Sequence, residues 1–195
     1  MSTASASLPV QQRAWDTRER ILAAALACLA EDGYAATTTS RIQERAGVSR
    51  GSLLHQFPSR DDLLIAAVHH LADQRAGDLA DPGPLGIDAA VNQLWRTFQG
   101  PLFRAAVQLW AGAEHNEQLR AALAPREREL GRRIRASVAV LFGPERAAQP
   151  NFGELVGLLV SSMRGVALTY AFDLRDPRRE PSLPGWRRLA HRYLD

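Results

Sequence analysis

Side chains that can donate hydrogen bonds cluster at the start of a short helix predicted over residues 50–56. Residues 47–49 (Gly-Val-Ser) separate this helix from the preceding one. A sharp turn between helices needs a residue that tolerates a left-handed backbone, an apolar side chain in the angle and a cap for the next helix, and these three supply them in order. The second helix then presents Arg50, Ser52 and His55 away from its apolar side. Donors at this end of a helix-turn-helix read base edges, so the spacing predicts DNA recognition.

The remaining reactive residue types form no catalytic or metal-binding pattern. Cys28 is the sole cysteine and lies in an apolar helical run, which is typical of an inert core thiol. His69 and His70 are adjacent, whereas a zinc-binding pair on a helix needs an i, i+4 spacing. The sequence contains no Walker loop and no G-x-S-x-G elbow. We therefore predict that the protein is not an enzyme and binds no metal or cofactor.

The charge distribution is only locally basic. The 195 residues carry 24 basic side chains, all arginine, and a net charge of +3. Residues 1–60 hold seven arginines against five acids, whereas residues 61–80 hold one arginine against four aspartates. A net positive charge suggests an anionic partner. The DNA-binding prediction therefore depends on the turn and its flanking helices more than on charge.

Apolar residues recur at helical spacing along the whole chain, which predicts an all-α fold of about nine helices. Residues 1–15 are predicted to be a flexible tail, with the first helix starting at Asp16. Residues 16–80 would form a three-helix helix-turn-helix domain with a linking fourth helix. After the Pro/Gly break at 81–84, residues 81–195 would form a helical ligand-binding and dimerisation domain.

Two features favour a cytoplasmic protein without a membrane partner. The first dozen residues lack the apolar core of a signal peptide. The apolar stretch 155–172 is long enough to cross a membrane, but Arg164 lies at its centre, where a charge is unfavourable. We therefore expect this stretch to be a helix buried in protein.

The segment from Thr37 to Leu63 resembles the DNA-binding domain of the tetracycline-repressor (TetR) family. The runs AGVSRGSL and HQFPSRDDL carry the resemblance, together with an apolar first helix, a Gly33-Tyr34 link and a fourth helix. The resemblance is close over about residues 15–75 and extends further only in helix number and length. A plain helical hairpin within a bundle is the alternative for this segment, and the matching flanking helices argue against it.

The resemblance implies a role for individual residues. Arg50, Ser52 and His55 match positions that meet the major groove, where Gly51 would let the backbone approach DNA. Leu54 replaces the usual aromatic residue and can only pack or touch a thymine methyl. The remaining predicted DNA contacts are phosphate contacts or helix caps near phosphates: Arg18, Thr38, Arg41, Ser49 and Arg60.

The same resemblance implies that the residues after the fourth helix bind an effector and a second subunit. A small lipophilic or aromatic effector is expected among aromatic and apolar side chains. The predicted pocket residues are Trp95, Phe98, Phe103, Val107, Trp110, His115, Met163 and Tyr170. The predicted homodimer interface comprises Leu155, Leu158, Leu159, Ser162 and Val166. Arg164 is open to two interpretations, an ion pair within the structure or an anchor for an effector carboxylate.

These features predict a ligand-responsive regulator of transcription, most simply a repressor that a small effector releases from a palindromic operator. Double-stranded operator DNA and a second copy of the chain would be its partners. The alternative is a helical small-molecule-binding or sequestering protein whose helix-turn-helix reads no specific operator. Leu54 and the acidic fourth helix keep that alternative open.

Overall fold

The computed structural model describes residues 10–173 and 175–195, which form an all-α fold. Ten α-helices lie in the described residues, nine of them at least seven residues long, so the predicted fold class and helix number are confirmed. The helices are α1 Val10–Ala36, α2 Thr39–Ala46, α3 Arg50–Gln56, α4 Arg60–Ala80, α5 Ile87–Arg96, α6 Pro101–Glu114, α7 Glu117–Phe142, α8 Pro144–Ala147, α9 Phe152–Thr169 and α10 Leu183–Leu194. A 3-10 turn, Pro177–Arg179, precedes α10.

Helix α1 begins earlier than predicted. It already includes Val10, so the prediction of a helix start at Asp16 is wrong. The Asp16 carboxylate does not cap the helix but accepts a 2.9 Å hydrogen bond from Gln12 Nε2, one turn earlier. Nothing between residues 10 and 16 breaks a helix, because the segment contains neither glycine nor proline. Residues 1–9 of the predicted tail lie outside the described residues.

Two hydrophobic clusters form the core, and they do not follow the predicted domain boundary. The first combines apolar faces of α1–α4 with α6 and the start of α7, from Ala105 to Leu123. The second combines the end of α4, α5, the end of α7, α9 and α10. The chain turns at the predicted break near residues 81–84. The helix-turn-helix nevertheless shares its core with helices that follow this break.

Helix α9 is buried on one side only. Its 18 residues have a mean hydropathy of 1.3, which meets the length and composition of a membrane span, but only 33% of them are buried. The prediction of a helix buried within the protein therefore holds for one face alone. The other face exposes residues at a spacing of three to four: Gly153, Gly157, Leu158, Ser161, Gly165 and Leu168.

Candidate nucleic-acid interface

Three local features build the turn between α2 and α3. Thr38 caps α2, because its hydroxyl oxygen accepts a 3.2 Å hydrogen bond from the Arg41 backbone N–H. Gly47 ends α2 with φ 63° and ψ 41°, a left-handed conformation that favours glycine. Ser49 then caps α3 by accepting from the Ser52 N–H at 3.2 Å. The sequence predicted each of these local roles.

Helix α3 is anchored by few side chains and presents the rest to solvent. Leu53 and, just beyond the helix, Phe57 are buried in the first hydrophobic cluster. Arg50, Gly51, Leu54 and His55 are exposed and Ser52 is half-buried. A Cβ atom added at Gly51 would meet no atom within 4 Å. The face of α3 predicted to enter the major groove is therefore free in the described structure.

Acidic residues of α1 hold two arginines of α2. Arg41 forms a bidentate pair with Asp32, in which its Nη2 donates to Oδ1 at 3.0 Å. Arg45 pairs with Glu31 in the same way, with an Nη2–Oε1 distance of 2.8 Å. The Arg41 side chain is still 54% exposed. The hydrogen bond from Arg41 also lowers the pKa of Asp32, so this carboxylate stays ionised. Sequence reasoning missed both pairs, because their members come from different helices.

The two other predicted phosphate contacts are also engaged within the protein. The guanidinium of Arg18 lies 4.7 Å from the centre of the Phe57 ring. Arg60 lies 4.3 Å above the Tyr34 ring and donates to the backbone oxygens of Tyr34 and Thr37 at 3.4 and 3.3 Å. Its predicted role in phosphate binding stays a prediction. In the structure, Arg60 ties the start of α4 to the end of α1.

A partly buried polar junction connects this interface to the following helices. The Tyr34 hydroxyl donates to Asp61 Oδ1 at 2.9 Å. Asn116 Nδ2, at the start of α7, donates to both the Tyr34 hydroxyl and Asp61 Oδ2 at 3.2 Å. On α6, Gly112 lies against the Tyr34 ring so closely that a Cβ there would be 2.5 Å from a ring carbon. Tyr34 is therefore one of the points at which α1 and α4 contact α6 and α7.

Several cavities lie among the helices, and two of them use the same pair of aromatic rings. The first cavity has a volume of about 520 Å³ and the second about 120 Å³. Phe98 and Phe103 line both cavities, with their ring centres 5.7 Å apart in an edge-to-face arrangement. These two cavities are the candidate ligand sites of the described residues.

Most of the predicted pocket residues reach a cavity. Trp95, Val107 and Tyr170 line the first cavity, and Trp110 lines the second. Met163 is fully buried in the second hydrophobic cluster, and exposed His115 follows the end of α6; neither lines these cavities. The sequence analysis did not identify Glu127, Arg75 or Arg175 as wall residues. Burial and the Glu180 carboxylate, which accepts from the Tyr170 hydroxyl at 2.6 Å, raise the pKa of Tyr170 to about 12, so its hydroxyl stays neutral.

The predicted dimer residues fall on two sides of α9. Leu158 and Ser162 are exposed and Val166 is half-buried. Leu155 and Leu159 are fully buried within the subunit, so their assignment to an intersubunit surface is corrected. A stretch of apolar residues without polar alternation does not show which helical side faces the core.

Comparisons with known proteins identify relatives of the segment that contains the helix-turn-helix. Residues 21–67 match the family profile described as "Bacterial regulatory proteins, tetR family". The transcriptional regulator CymR of Pseudomonas putida is 41% identical over 63 residues, which cover 32% of this chain and 31% of CymR. The transcriptional repressor AcnR of Corynebacterium efficiens is 34% identical over 83 residues, covering 43% of this chain and 42% of AcnR. The aligned segments thus span about a third to two fifths of these two relatives.

A structural likeness extends over nearly the whole chain. The structure of Salmonella enterica GusR superimposes with a TM-score of 0.70 at 24% identity, covering 92% of this chain and 95% of GusR. At this level of identity the similarity establishes the fold alone. The fold similarity to GusR thus covers a larger share of this chain than the alignments with CymR and AcnR do.

Proposed function

We propose that this chain is a member of the TetR family of bacterial transcriptional regulators and acts as a dimeric repressor that a small effector releases from a palindromic operator. The family is one of DNA-binding regulators and not of enzymes, in agreement with the sequence prediction. One observation carries the proposal. Helix α3 presents Arg50, Ser52 and His55 on a free surface, held by a glycine turn and two buried anchors.

Direct readout is assigned to α3. Arg50 is suited to bidentate donation to guanine, and Ser52 and His55 add donors or acceptors at neighbouring base edges. Leu54, 45% exposed beside them, would contact a thymine methyl. Gly51 leaves space for the helix backbone to approach the groove.

Phosphate contacts would fix the position of α3 on the duplex. Thr38 and Ser49 lie exposed at the starts of α2 and α3, where backbone N–H groups favour anions. Arg18, Arg41 and Arg60 would add cationic contacts. Arg41 can exchange its Asp32 partner for a phosphate, because the pair lies at the surface, where an ion pair contributes little to stability.

The exposed face of α9 is proposed as the homodimer interface. Leu158, Ser162 and Val166 lie on or beside it, and the small residues on this face allow close helix packing. A two-fold axis here would place two copies of α3 in successive major grooves, about 34 Å apart. Replacing Leu158 with Glu is expected to shift the protein to monomers in sedimentation velocity and to weaken operator binding. The matched control is Trp15→Glu, an exposed apolar side chain on α1, which should leave the dimer intact.

Effector binding in the cavities would change the spacing of the two α3 helices. The Tyr34 junction supports this coupling, because it joins the first turn of α4 to α6 and α7. Effector and operator must then weaken each other's binding by the same factor. Effector-dependent loss of operator affinity and operator-dependent loss of effector affinity can both be measured by titration.

Operator binding tests the proposal most directly. We expect the dimer to prefer a duplex from its own promoter over a scrambled duplex, with an affinity that falls steeply with salt concentration. Arg50→Ala should lower the preference by roughly 10- to 100-fold, the effect of losing one bidentate base contact. Arg178→Ala, at an exposed arginine near the other end of the fold, is the control. Equal, weak binding to both duplexes, unchanged by Arg50→Ala, would contradict the proposal and favour a ligand-binding protein that reads no operator.

A further inference from the structure

Buried polar atoms without hydrogen-bond partners are concentrated on the two sides of α4. Among the described residues, three buried side-chain atoms have no partner: Glu19 Oε1, His69 Nε2 and Glu127 Oε1. The last two face each other at 3.5 Å, longer than a normal hydrogen bond. An unpaired buried polar group lowers stability, so a native structure that keeps one usually has a use for it.

Glu127 belongs to the wall of the second cavity. The other wall residues are mostly apolar and come from α4, α6, α7, α9 and the end of α5, including Phe103, Trp110 and Ile134. An apolar cavity of roughly 150 Å³ can hold a benzene molecule. A volume of about 120 Å³ therefore fits a ligand of about one ring. Glu127 Oε1 has no partner and almost no accessible surface, so a small rotation of the side chain would turn the carboxylate towards a ligand that donates a hydrogen bond.

The charges around the cavity determine which ligands can donate a hydrogen bond to Glu127. Burial would raise the pKa of Glu127, but the approach of His69 and Trp110 and the charge of Arg164 outweigh it, so the pKa lies below its usual value and the carboxylate is ionised. Arg75 and Arg164 also line the cavity, and Arg164 lies 5.2 Å from the centre of the Trp110 ring. With one carboxylate and two guanidinium groups, the wall carries a net charge of +1. It disfavours a cationic ligand, and an anionic ligand has no proton to donate to Glu127.

We propose that the second cavity binds a neutral, ring-sized hydroxyl compound of the phenol or cyclic alcohol class. The hydroxyl donates to the Glu127 carboxylate and the ring packs against Phe103 and Trp110. The proposal rests on the effector-responsive function proposed above and names the chemistry of the effector. Glu127 is then the residue that distinguishes ligands with a hydroxyl group from ligands without one.

The position of His69 provides a route from this cavity to the DNA-facing helices. The next residue of α4, His70, points towards α1, where its Nε2 lies 2.8 Å from Glu19 Oε2. Adjacent histidines on one helix thus contact Glu127 of the cavity wall and Glu19 of the first helix of the DNA-binding region. A ligand that takes over the Glu127 carboxylate changes the surroundings of His69 and shifts α4 relative to α1.

Ligand binding to the full-length protein without DNA tests the site. We would measure the affinities of phenol, toluene, benzylamine and benzoate by calorimetry and by the thermal shift they produce. Phenol is expected to bind roughly tenfold or more tightly than each of the other three, because only phenol offers a neutral donor to the carboxylate. The Glu127→Leu variant should bind phenol and toluene equally. The Glu127→Gln variant, which keeps the shape and an acceptor oxygen, should bind phenol with intermediate affinity.

Glu129→Leu is the matched control, because Glu129 lies on the same helix but pairs with Arg132 and Arg133 outside the cavity. It should leave phenol binding unchanged. Equal binding of phenol and toluene to the native protein, or phenol binding that Glu127→Leu and Glu127→Gln leave unaltered, would overturn the proposal. This readout involves no DNA, so its failure differs from failure of the proposed function, which would appear as the loss of operator preference in the native protein.

Discussion

The surface around α2 and α3 differs from the second cavity in the burial and pairing of its charged side chains. At the surface, Arg41 and Arg45 are paired with carboxylates of α1 and remain accessible to solvent. At the cavity wall, half-buried Glu127 meets buried His69, and their facing atoms make no hydrogen bond. A surface pair can exchange one partner for a phosphate at little loss of stability. A buried, unsatisfied pair lowers stability until a ligand completes it. Both regions thus keep polar groups available for a partner. The surface pairs are accessible to solvent, and the pair at the cavity lacks a hydrogen bond.

The largest effect is expected from a substitution that disturbs the Tyr34 junction between the two regions. Gly112→Ala would place a Cβ 2.5 Å from the Tyr34 ring, so the free energy of unfolding should fall by about 1–3 kcal/mol, as in other overpacked cores. Thermal or urea denaturation measures the loss. Gly77→Ala on α4 is the control, because its Cβ meets nothing within 4 Å, and it should raise stability by about 0.5–1 kcal/mol. A Gly112→Ala protein as stable as the native one would show that α6 and Tyr34 do not constrain each other.

The second prediction concerns the stability of the cavity pair. Replacing both His69 and Glu127 with Leu removes two unsatisfied polar atoms, so the free energy of unfolding of the unliganded protein should rise by about 1 kcal/mol. Urea denaturation checks the gain, and the same variant should lose the preference for phenol over toluene. A loss of 1 kcal/mol or more would instead identify the pair as a stabilising contact.

The third prediction concerns the ion pair between Arg41 and Asp32 at the surface around α2 and α3. Asp32→Asn frees Arg41 from its ion pair and removes one negative charge from the interface. We expect little change in the unfolding midpoint, a severalfold gain in operator affinity and a steeper dependence on salt, because one more cation can contact a phosphate. Fluorescence anisotropy across a salt series measures both quantities. Asp173→Asn, at the exposed partner of Arg175, should leave DNA binding unchanged.

The smallest effect is expected at His191, where the stability of the protein should depend on pH. Hydrogen bonds to Asp195 and Asp88 raise the pKa of His191 above its ordinary value of 6.5. The stabilisation is therefore complete below pH 6.5 and is lost as the pH rises through the folded-state pKa. Thermal melting between pH 6 and 8 should show a shallower pH dependence for His191→Gln than for the native protein. Identical profiles would show that this exposed cluster does not contribute to stability.

The sequence predicted those features that depend on neighbours in the chain. The Gly47 turn and the caps Thr38 and Ser49 follow from rules that involve at most four consecutive residues. The start of α1 was wrong because Asp16 fits the pattern of a cap, while no local signal showed that the helix already included residues 10–15. The faces of α9 were assigned incorrectly because its apolar residues surround the helix, and only packing shows that Leu155 points inwards and Leu158 outwards.

The cavity site was beyond the reach of local patterns. Glu127 lies in the run Arg126-Glu127-Arg128-Glu129, which is typical of a solvent-exposed helix face. Its burial depends on α4, more than 50 residues away in the chain, and on the side chain of His69. Besides its neighbour Asp61, Arg60 likewise has two partners that are distant in the chain, the backbone oxygens 23 and 26 residues away. Long-range packing of this kind leaves no periodic signal in a single sequence.

The sharing of the first hydrophobic cluster limits how this protein can be recombined with its relatives. A chimera joined at the Pro/Gly turn near residue 82 would pair α1–α4 of one parent with α6 and the start of α7 of another. Leu109, Leu119 and Leu123 would then face a foreign core, and Asn116 would meet a foreign tyrosine and aspartate. A functional graft must carry residues 105–123 together with the N-terminal helices. The α2–α3 turn and its supporting core thus come from two separate segments of the chain, and substitutions on the exposed face of α3 would disturb this shared core less than an exchange of the whole module would.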